Sequence, residues 1–150
     1  MMRERMRIGV IGGSNPAPEH LKIAHKVGRL IGRAGAILVC GGLGGVMEAS
    51  SRGAKEEGGL TVGILPGNRF QDANKFIDIP LATGMGYSRN SLVALNADVL
   101  IAVDGEYGTL SEIAYGIIYN KKIIGINTWE IKGIIPAKTP EEAVSLALGK

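Results

Sequence analysis

Residues 99–118, VLIAVDGEYGTLSEIAYGII, show three different sequence patterns in succession. Residues 99–103 form a continuous apolar run, which is typical of a strand buried on both faces of a parallel sheet. Two glycines, Gly105 and Gly108, follow in a polar stretch. Apolar residues then recur at helical spacing, at positions 110, 113, 114, 117 and 118. The segment therefore predicts a buried strand, a glycine turn and a helix over residues 109–119.

The same alternation of apolar runs and helical periodicity continues along the chain. Further strands are predicted at residues 6–11, 36–40, 61–65 and 123–126, with a candidate short strand at 76–79. Helices are predicted at residues 19–34, 46–57 and 88–96, and a last helix begins with a Thr-Pro-Glu-Glu capping box at 139–142. Apolar strands that alternate with helices predict a single-domain α/β protein, with a Rossmann-like, doubly wound, mainly parallel sheet of about five to seven strands.

Length and composition exclude several classes of protein. The chain has 150 residues, 45% of them hydrophobic and 21% charged, which suits one globular domain. The net charge of +3 comes without an uninterrupted Lys/Arg run, so nucleic-acid binding has little support. The single cysteine, Cys40, excludes an internal disulfide and a cysteine metal cage. Because no stretch resembles a signal peptide or a membrane span, we expect a cytoplasmic protein without membrane partners.

Glycines cluster where the predicted strands end. They occur in GGS (12–14), GGLGG (41–45) and PG (66–67), and as Gly105 and Gly108. In a doubly wound sheet, ligands bind outside the carboxyl ends of the strands, and these loops all lie at that edge. Tight turns would explain glycine in one or two of the loops, so the pattern predicts a ligand cleft lined by backbone.

Three standard cofactor motifs do not fit this cleft. The P-loop pattern is absent, and GVIGGS (9–14) does not match the GxGxxG fingerprint of dinucleotide-binding proteins. No lysine lies in a glycine loop, which leaves a pyridoxal Schiff base without a candidate. No His/Cys/Asp cluster has metal-ligand spacing, and His20 and His25 are interpreted as surface or helix-end residues.

Three polar residues flank the strand at 99–103, namely Arg89, Thr109 and Glu112. Each also has a structural interpretation. Thr109 and Glu112 have the spacing of a helix capping box, and Arg89 has the place of a solvated residue at a helix start. Ser14 has the place of a simple cap or turn residue, and the GGLGG loop could serve only close helix–sheet packing.

The motifs GMGYSRN (84–90) and ADVLIAVDGEYGTLSEIA (97–114) resemble the signature of the LOG family and its wider SLOG superfamily. The similarity extends to GVIGGS, CGGLGGVMEASSRGA and GILPG, and so covers roughly residues 6–126. That superfamily includes cytokinin-activating phosphoribohydrolases and molybdenum cofactor carrier proteins. The chain is most similar to the short subgroup to which the carriers belong.

The resemblance implies a role for each motif residue. Arg89 matches the active-site arginine of the family, and Glu112 matches its catalytic glutamate. The residues that match ligand-binding positions are Gly105, Gly108 and Thr109 in the phosphate turn, Gly13 and Ser14 in the first loop, and Gly42, Gly44 and Gly45 in the second. No cofactor is required by this pattern. The implied ligand is a nucleoside monophosphate or the molybdenum cofactor, and a homo-oligomer is implied as well.

Two departures from the family pattern lie in the same region. The enzymes usually read Pro-Gly-Gly where this chain has Asp104-Gly105-Glu106, and Asn90 takes the place of a second cation. A glutamate at a glycine position is expected to strain the turn, and its charge opposes a phosphate dianion. The sequence therefore favours ligand binding, with phosphoribohydrolase activity or a degenerate sensor site as alternatives.

Overall fold

The computed structural model describes residues 4–150, and its strands form one parallel sheet. The strands are β1 (Arg7–Gly12), β2 (Ile37–Cys40), β3 (Leu60–Leu65), β4 (Ile79–Ala82), β5 (Val99–Val103), β6 (Lys122–Ile126) and β7 (Ile134–Pro136). Every neighbouring pair runs parallel. The Rossmann-like α/β fold predicted from the apolar runs is confirmed, with seven strands in the described part of the chain.

Five helices cover the two faces of this sheet. They are α1 (Pro18–Arg33), α2 (Val46–Glu56), α3 (Asn90–Leu95), α4 (Tyr107–Ile118) and α5 (Pro140–Ala147). Helices α1, α2 and α5 share a core with Ile8 and Val10, whereas α3 and α4 share the opposite core with Ile11. Successive strand residues point to opposite faces, and both faces are buried, which is why the strands are apolar throughout.

The strand order, β4-β3-β2-β1-β5-β6-β7, contains one reversal of direction. The chain winds outward from β1 through β2 to β3 and β4, then returns to place β5 on the other side of β1. Right-handed crossovers in opposite directions put their helices on opposite faces. The loops after β1 and β5 diverge at this topological switch point, which is where doubly wound proteins bind ligands.

Helices α1 and α2 approach each other more closely than side chains would allow. A Cβ added to Gly28 would lie 1.9 Å from the carbonyl oxygen of Ser50, and one added to Gly53 would lie 2.1 Å from that of His25. Because interior packing does not relax freely, each glycine is required for the contact. The small residues of α2 hold its N-terminus, and the loop before it, against α1.

The predicted strand at residues 76–79 is wrong, because strand β4 begins only at Ile79. Side chains rather than a sheet ladder hold the preceding segment. The Thr61 hydroxyl donates to the Phe76 carbonyl oxygen at 2.6 Å, and Asp78 accepts from the Thr61 backbone N–H at 3.0 Å. Strand β7 was not predicted at all. It is three residues long, lies at the sheet edge and ends at Pro136, so its apolar pattern is too short to stand out.

Several predicted helix boundaries shift. The segment 88–96 divides into a 3-10 turn at Gly86–Arg89 and the short helix α3. Helix α4 begins at Tyr107, two residues earlier than predicted. The capping residue of α5 is confirmed, since the Thr139 hydroxyl accepts from the Glu142 backbone N–H at 3.1 Å. Across residues 4–150, no helix has both the length and the apolar character needed to span a membrane.

Candidate functional site

Loops from three strands meet at the carboxyl edge of the sheet, beside the switch point. The backbone N–H of Val46 donates to the Gly13 carbonyl oxygen at 3.0 Å, which joins the loops after β1 and β2. A Cβ on Gly13 would lie 3.1 Å from a carboxylate oxygen of Asp104, so the loop after β5 touches the first loop. Exposed Ser14 stands at this junction beside Gly45. Three of the four expected glycine loops, those after β1, β2 and β5, are therefore in contact in the structure.

The glycines of the GGLGG loop (41–45) differ in how closely other residues pack against them. Gly45 has a φ of 68°, and a Cβ there would lie 2.3 Å from the Gly13 carbonyl oxygen. A Cβ on Gly42 would lie 2.7 Å from Leu65. Packing therefore accounts for these two glycines. Gly44 has no atom within 4 Å of an added Cβ and faces open space.

The turn after β5 leads directly into helix α4. Gly105 has a φ of 108°, and a Cβ there would lie 2.3 Å from the Thr109 hydroxyl oxygen. Only glycine meets both constraints, because L side chains rarely adopt this backbone region. Glu106 is the N-cap residue, and its side chain does not cap the helix. The first backbone N–H groups of α4 are therefore left without an intrahelical acceptor, at the positive end of the helix dipole.

The capping-box interpretation of Thr109 and Glu112 is wrong. Thr109 is the third residue of α4 rather than its cap, because the helix starts at Tyr107. Both side chains are buried, Thr109 at 3% and Glu112 at 7% exposure. A buried hydroxyl and a buried carboxyl inside the first turns of a helix need a reason other than capping. Gly108, the second residue of α4, is loosely packed. A Cβ added there would have the Asn90 amide nitrogen as its nearest neighbour, at 3.8 Å.

The interpretation of Arg89 as a solvated residue is also wrong, because its side chain is buried. Its Nε donates to the Ile64 carbonyl oxygen at 2.8 Å, and a terminal nitrogen donates to the Gly41 carbonyl oxygen at 3.3 Å. The other terminal nitrogen donates to the Asn90 side-chain oxygen. Arg89 thus links the ends of β2 and β3. Since a guanidinium has five N–H groups, two remain for a ligand.

Glu112 and Arg89 are buried ionisable residues of the site, and each affects the pKa of the other. Burial raises the pKa of Glu112 to about 8, although the positive charge of Arg89 opposes this rise. Burial lowers the pKa of Arg89, and the Glu112 charge counteracts that shift. A carboxyl group with such a pKa is protonated at neutral pH and holds a transferable proton.

Cys40 lies within the electrostatic reach of this pair. Its side chain is fully buried, and its sulfur accepts from the Gly42 backbone N–H at 3.3 Å. Burial raises the pKa of the Cys40 thiol, and the Glu112 charge adds to that effect. A thiol in this environment is uncharged and unreactive.

Asn90 is a site residue whose role sequence reasoning missed. Its oxygen accepts from Arg89, and its amide nitrogen donates to the Ser111 hydroxyl at 3.0 Å and to the Gly108 carbonyl oxygen at 3.3 Å. Asn90 therefore connects the arginine to the first turn of α4. The Arg-Asn adjacency in GMGYSRN is the signal in the sequence, but by itself it indicates only the loss of a cation.

The expectation that Glu106 strains the turn is wrong. Its φ of −117° is open to any residue, and its side chain is exposed. The left-handed backbone lies instead at Asp104, with a φ of 55°, and at Gly105. Asp104 lies beside His20, whose Nδ1 is 3.7 Å from the carboxylate. His20 lies in the first turn of α1, in agreement with its interpretation as a helix-end residue, and its side chain is 16% exposed.

Comparison with known proteins identifies the family of this chain. The model of the SLOG cluster4 family matches residues 5–148. The chain belongs to the SLOG cluster4 family. A relative from Archaeoglobus fulgidus is 47% identical over 145 residues, which is 95% of each chain. The SLOG membership predicted from the glycine and GTLSEIA motifs is therefore confirmed.

Two further relatives of this SLOG cluster4 chain have stated functions. The molybdenum cofactor binding protein of Rippkaea orientalis is 34% identical, with a TM-score of 0.92 over 97% of each chain. A cytokinin riboside 5′-monophosphate phosphoribohydrolase from Mycobacterium marinum is 32% identical over 122 residues, which is 75% of this chain and 65% of that protein. Proteins similar to this chain thus include both a cofactor-binding protein and an enzyme.

Proposed function

We propose that this protein binds a small phosphorylated ligand, a nucleoside monophosphate or a molybdopterin-type cofactor, in the cleft at the β1/β5 switch point. The observation that carries the proposal is the uncapped start of α4, set against the Gly105 turn with Arg89 nearby. The likeness to the molybdenum cofactor binding protein of Rippkaea orientalis, over nearly the whole chain, supports it. The proposed ligand-contacting residues are Gly13, Ser14, Gly42, Gly44, Gly45, Gly105, Gly108 and Thr109.

The phosphate would lie against the first turn of α4. Backbone N–H groups there lack acceptors, and the helix dipole favours an anion. The side-chain-free Gly105 lets a phosphate oxygen approach the backbone, and the Thr109 hydroxyl lies against Gly105. The two unused N–H groups of Arg89 add a positive contribution from the side of β2 and β3.

The carboxylates of Asp104 and Glu106 weaken phosphate binding but do not prevent it. Two like charges about 4 Å apart in water repel by about 1 kcal/mol. The exposed side chain of Glu106 can turn into solvent, away from a phosphate bound at the start of α4. The expected result is weakened, salt-dependent phosphate binding rather than its loss.

Calorimetric titration with AMP and with ribose 5-phosphate tests the proposal, with adenosine as the control lacking phosphate. Both phosphates should bind, and adenosine should bind far more weakly. Thr109→Val keeps the side-chain shape and should weaken binding about tenfold, since it removes one hydrogen bond to a charged group. Glu106→Gln should strengthen binding a few-fold at low salt and have no effect at high salt. If no phosphorylated ligand binds the folded protein, the proposal is wrong.

A second candidate function is hydrolysis of the N-glycosidic bond in a nucleoside monophosphate. Water adds to the sugar carbon as the C–N bond breaks, and the products are ribose 5-phosphate and the free base. A protonated Glu112 could deliver the proton that the departing base requires, with Arg89 beside it.

Chromatography of AMP reactions tests this hydrolysis. Base release should fall at least about 100-fold in Glu112→Gln, and unchanged release would remove Glu112 from the mechanism.

We further propose that the protein is a homo-oligomer whose interface includes the ends of α3 and α4. Leu95, Ile117 and Ile118 are 51%, 39% and 67% exposed, and the two helices pack together. An exposed apolar face on adjacent helices is typical of an interface between copies. Light scattering should give a multiple of the 15.7 kDa chain mass, and Ile118→Glu should reduce it. A monomeric wild-type protein would refute this.

A further inference from the structure

The segment after β6 forms a half-open cavity at the same carboxyl edge as the proposed phosphate site. Its volume is about 530 Å³, within the usual range of small-molecule sites. Its lining combines apolar surface from Trp129, Ile131 and Ile134 with polar groups from Asn127, Glu130 and Lys132. Nothing in the sequence-based interpretation assigned a role to this segment.

Two side-chain hydrogen bonds hold the segment against the turn that precedes α4. The Thr128 hydroxyl donates to the Asp104 carbonyl oxygen at 2.6 Å, and the Trp129 indole N–H donates to the Glu106 carbonyl oxygen at 3.0 Å. These contacts join residues 24 and 23 positions apart in the chain. The cavity is therefore fixed in position relative to the proposed phosphate site.

Two aromatic rings, those of Tyr107 and Trp129, pack against each other beside this cavity. Tyr107, the first residue of α4, has its ring centroid 5.9 Å from that of Trp129, with 38° between the ring planes. The Tyr107 side chain is 79% exposed, so the protein core does not account for its presence. An exposed aromatic ring next to a phosphate site is suited to stack on the planar ring of a ligand.

We propose that the Tyr107–Trp129 pair and the adjoining cavity receive the planar nitrogen heterocycle of the ligand, a purine or a pterin. This inference rests on the proposed phosphate site, because the turn that holds the phosphate also holds Trp129. Asn127 and Lys132 line the cavity and offer hydrogen-bonding groups to the polar edge of such a ring. The pair thereby determines a preference for nucleotides over simple sugar phosphates.

Comparison of AMP with ribose 5-phosphate tests the inference, because the two compounds differ by the heterocycle alone. Tyr107→Ala should weaken AMP binding about tenfold and change ribose 5-phosphate binding less than twofold, as expected for the loss of one stacking contact. Trp129 is the only tryptophan, so AMP should also quench the intrinsic fluorescence of the protein. Phe70→Ala is the matched control, because Phe70 is 57% exposed and follows β3, four strands from β6.

Two variants of Trp129 separate stacking from a purely structural role. Trp129→Phe retains an aromatic ring without the indole N–H and should retain the preference for AMP. Trp129→Leu should lose that preference. Equal losses for AMP and ribose 5-phosphate in both variants would show that Trp129 only holds the turn, and would overturn the inference.

The remaining outcomes distinguish this inference from the proposed function. If AMP and ribose 5-phosphate bind equally well to the wild-type protein and to Tyr107→Ala, the heterocycle site is wrong and the phosphate site stands. If neither compound binds the folded wild-type protein, both proposals are overturned together. Tighter binding of AMP that depends on Tyr107 supports both.

Discussion

Replacing Arg89 with alanine should lower the free energy of unfolding by about 2–4 kcal/mol, because it leaves buried hydrogen-bond acceptors without their donor. The substitution leaves the carbonyl oxygens of Ile64 and Gly41 without their donor at the ends of β3 and β2. It also removes the positive charge that opposes protonation of Glu112. Chemical denaturation with urea, followed by circular dichroism, measures the loss.

Two further variants make the Arg89 result interpretable. Arg69→Ala is the control, because that side chain is 69% exposed and its nearest carboxylate, Asp72, is 3.8 Å away. Its effect should stay within about 0.5 kcal/mol. Arg89→Lys keeps the charge but cannot reach two carbonyl oxygens and Asn90 together, so its stability should fall between those of the wild-type protein and Arg89→Ala. A loss below about 1 kcal/mol in Arg89→Ala would contradict the described network.

Replacing Glu112 with glutamine should remove a pH dependence from the stability of the protein. The folded protein holds the Glu112 proton up to about pH 8, whereas the unfolded chain releases it near the ordinary value of 4.5. Between these values the folded state binds more protons than the unfolded state, so stability falls as the pH rises. One such proton contributes a slope of up to about 1.4 kcal/mol per pH unit.

Denaturation midpoints measured from pH 5 to pH 9 test this expectation. The wild-type protein should lose stability across the interval up to about pH 8, and Glu112→Gln should lose much less and be the more stable protein at the alkaline end. Glu130→Gln changes an exposed carboxyl and should reproduce the wild-type profile. An identical slope in the wild-type protein and in Glu112→Gln would show that Glu112 is ionised in the folded state.

Local patterns in the sequence predicted much of the fold. Residues 99–103 and 123–126 are strands in the structure, because a strand buried on both faces must be apolar along its length. The predicted strand at 76–79 failed because the apolar residues Phe76 and Ile77 are held by side-chain bonds around Thr61 and Asp78 rather than by a ladder. Strand β7 is too short for any periodicity to show.

The candidate site was predicted in part. Arg89, Thr109 and Glu112 were identified by type and motif, but the burial of Arg89 and Glu112 was not predicted from the sequence. Asn90 was interpreted only as a missing cation, although it joins Arg89 to the start of α4. Trp129 lies outside every motif of the sequence. In each case the deciding contact is with a residue far away in the chain.

Residues 104–112, DGEYGTLSE, show which features follow from the sequence alone and which are decided by the tertiary structure. The strand, the glycine turn and the following helix depend on residues adjacent in the chain, so hydrophobic period and glycine content were enough to predict them. The helix start at Tyr107, the negative φ of Glu106 and the anchoring of the turn by Trp129 depend on residues brought together by folding. Such contacts leave no periodic signal, because they join groups 23–48 positions apart whose proximity exists only once the sheet has formed.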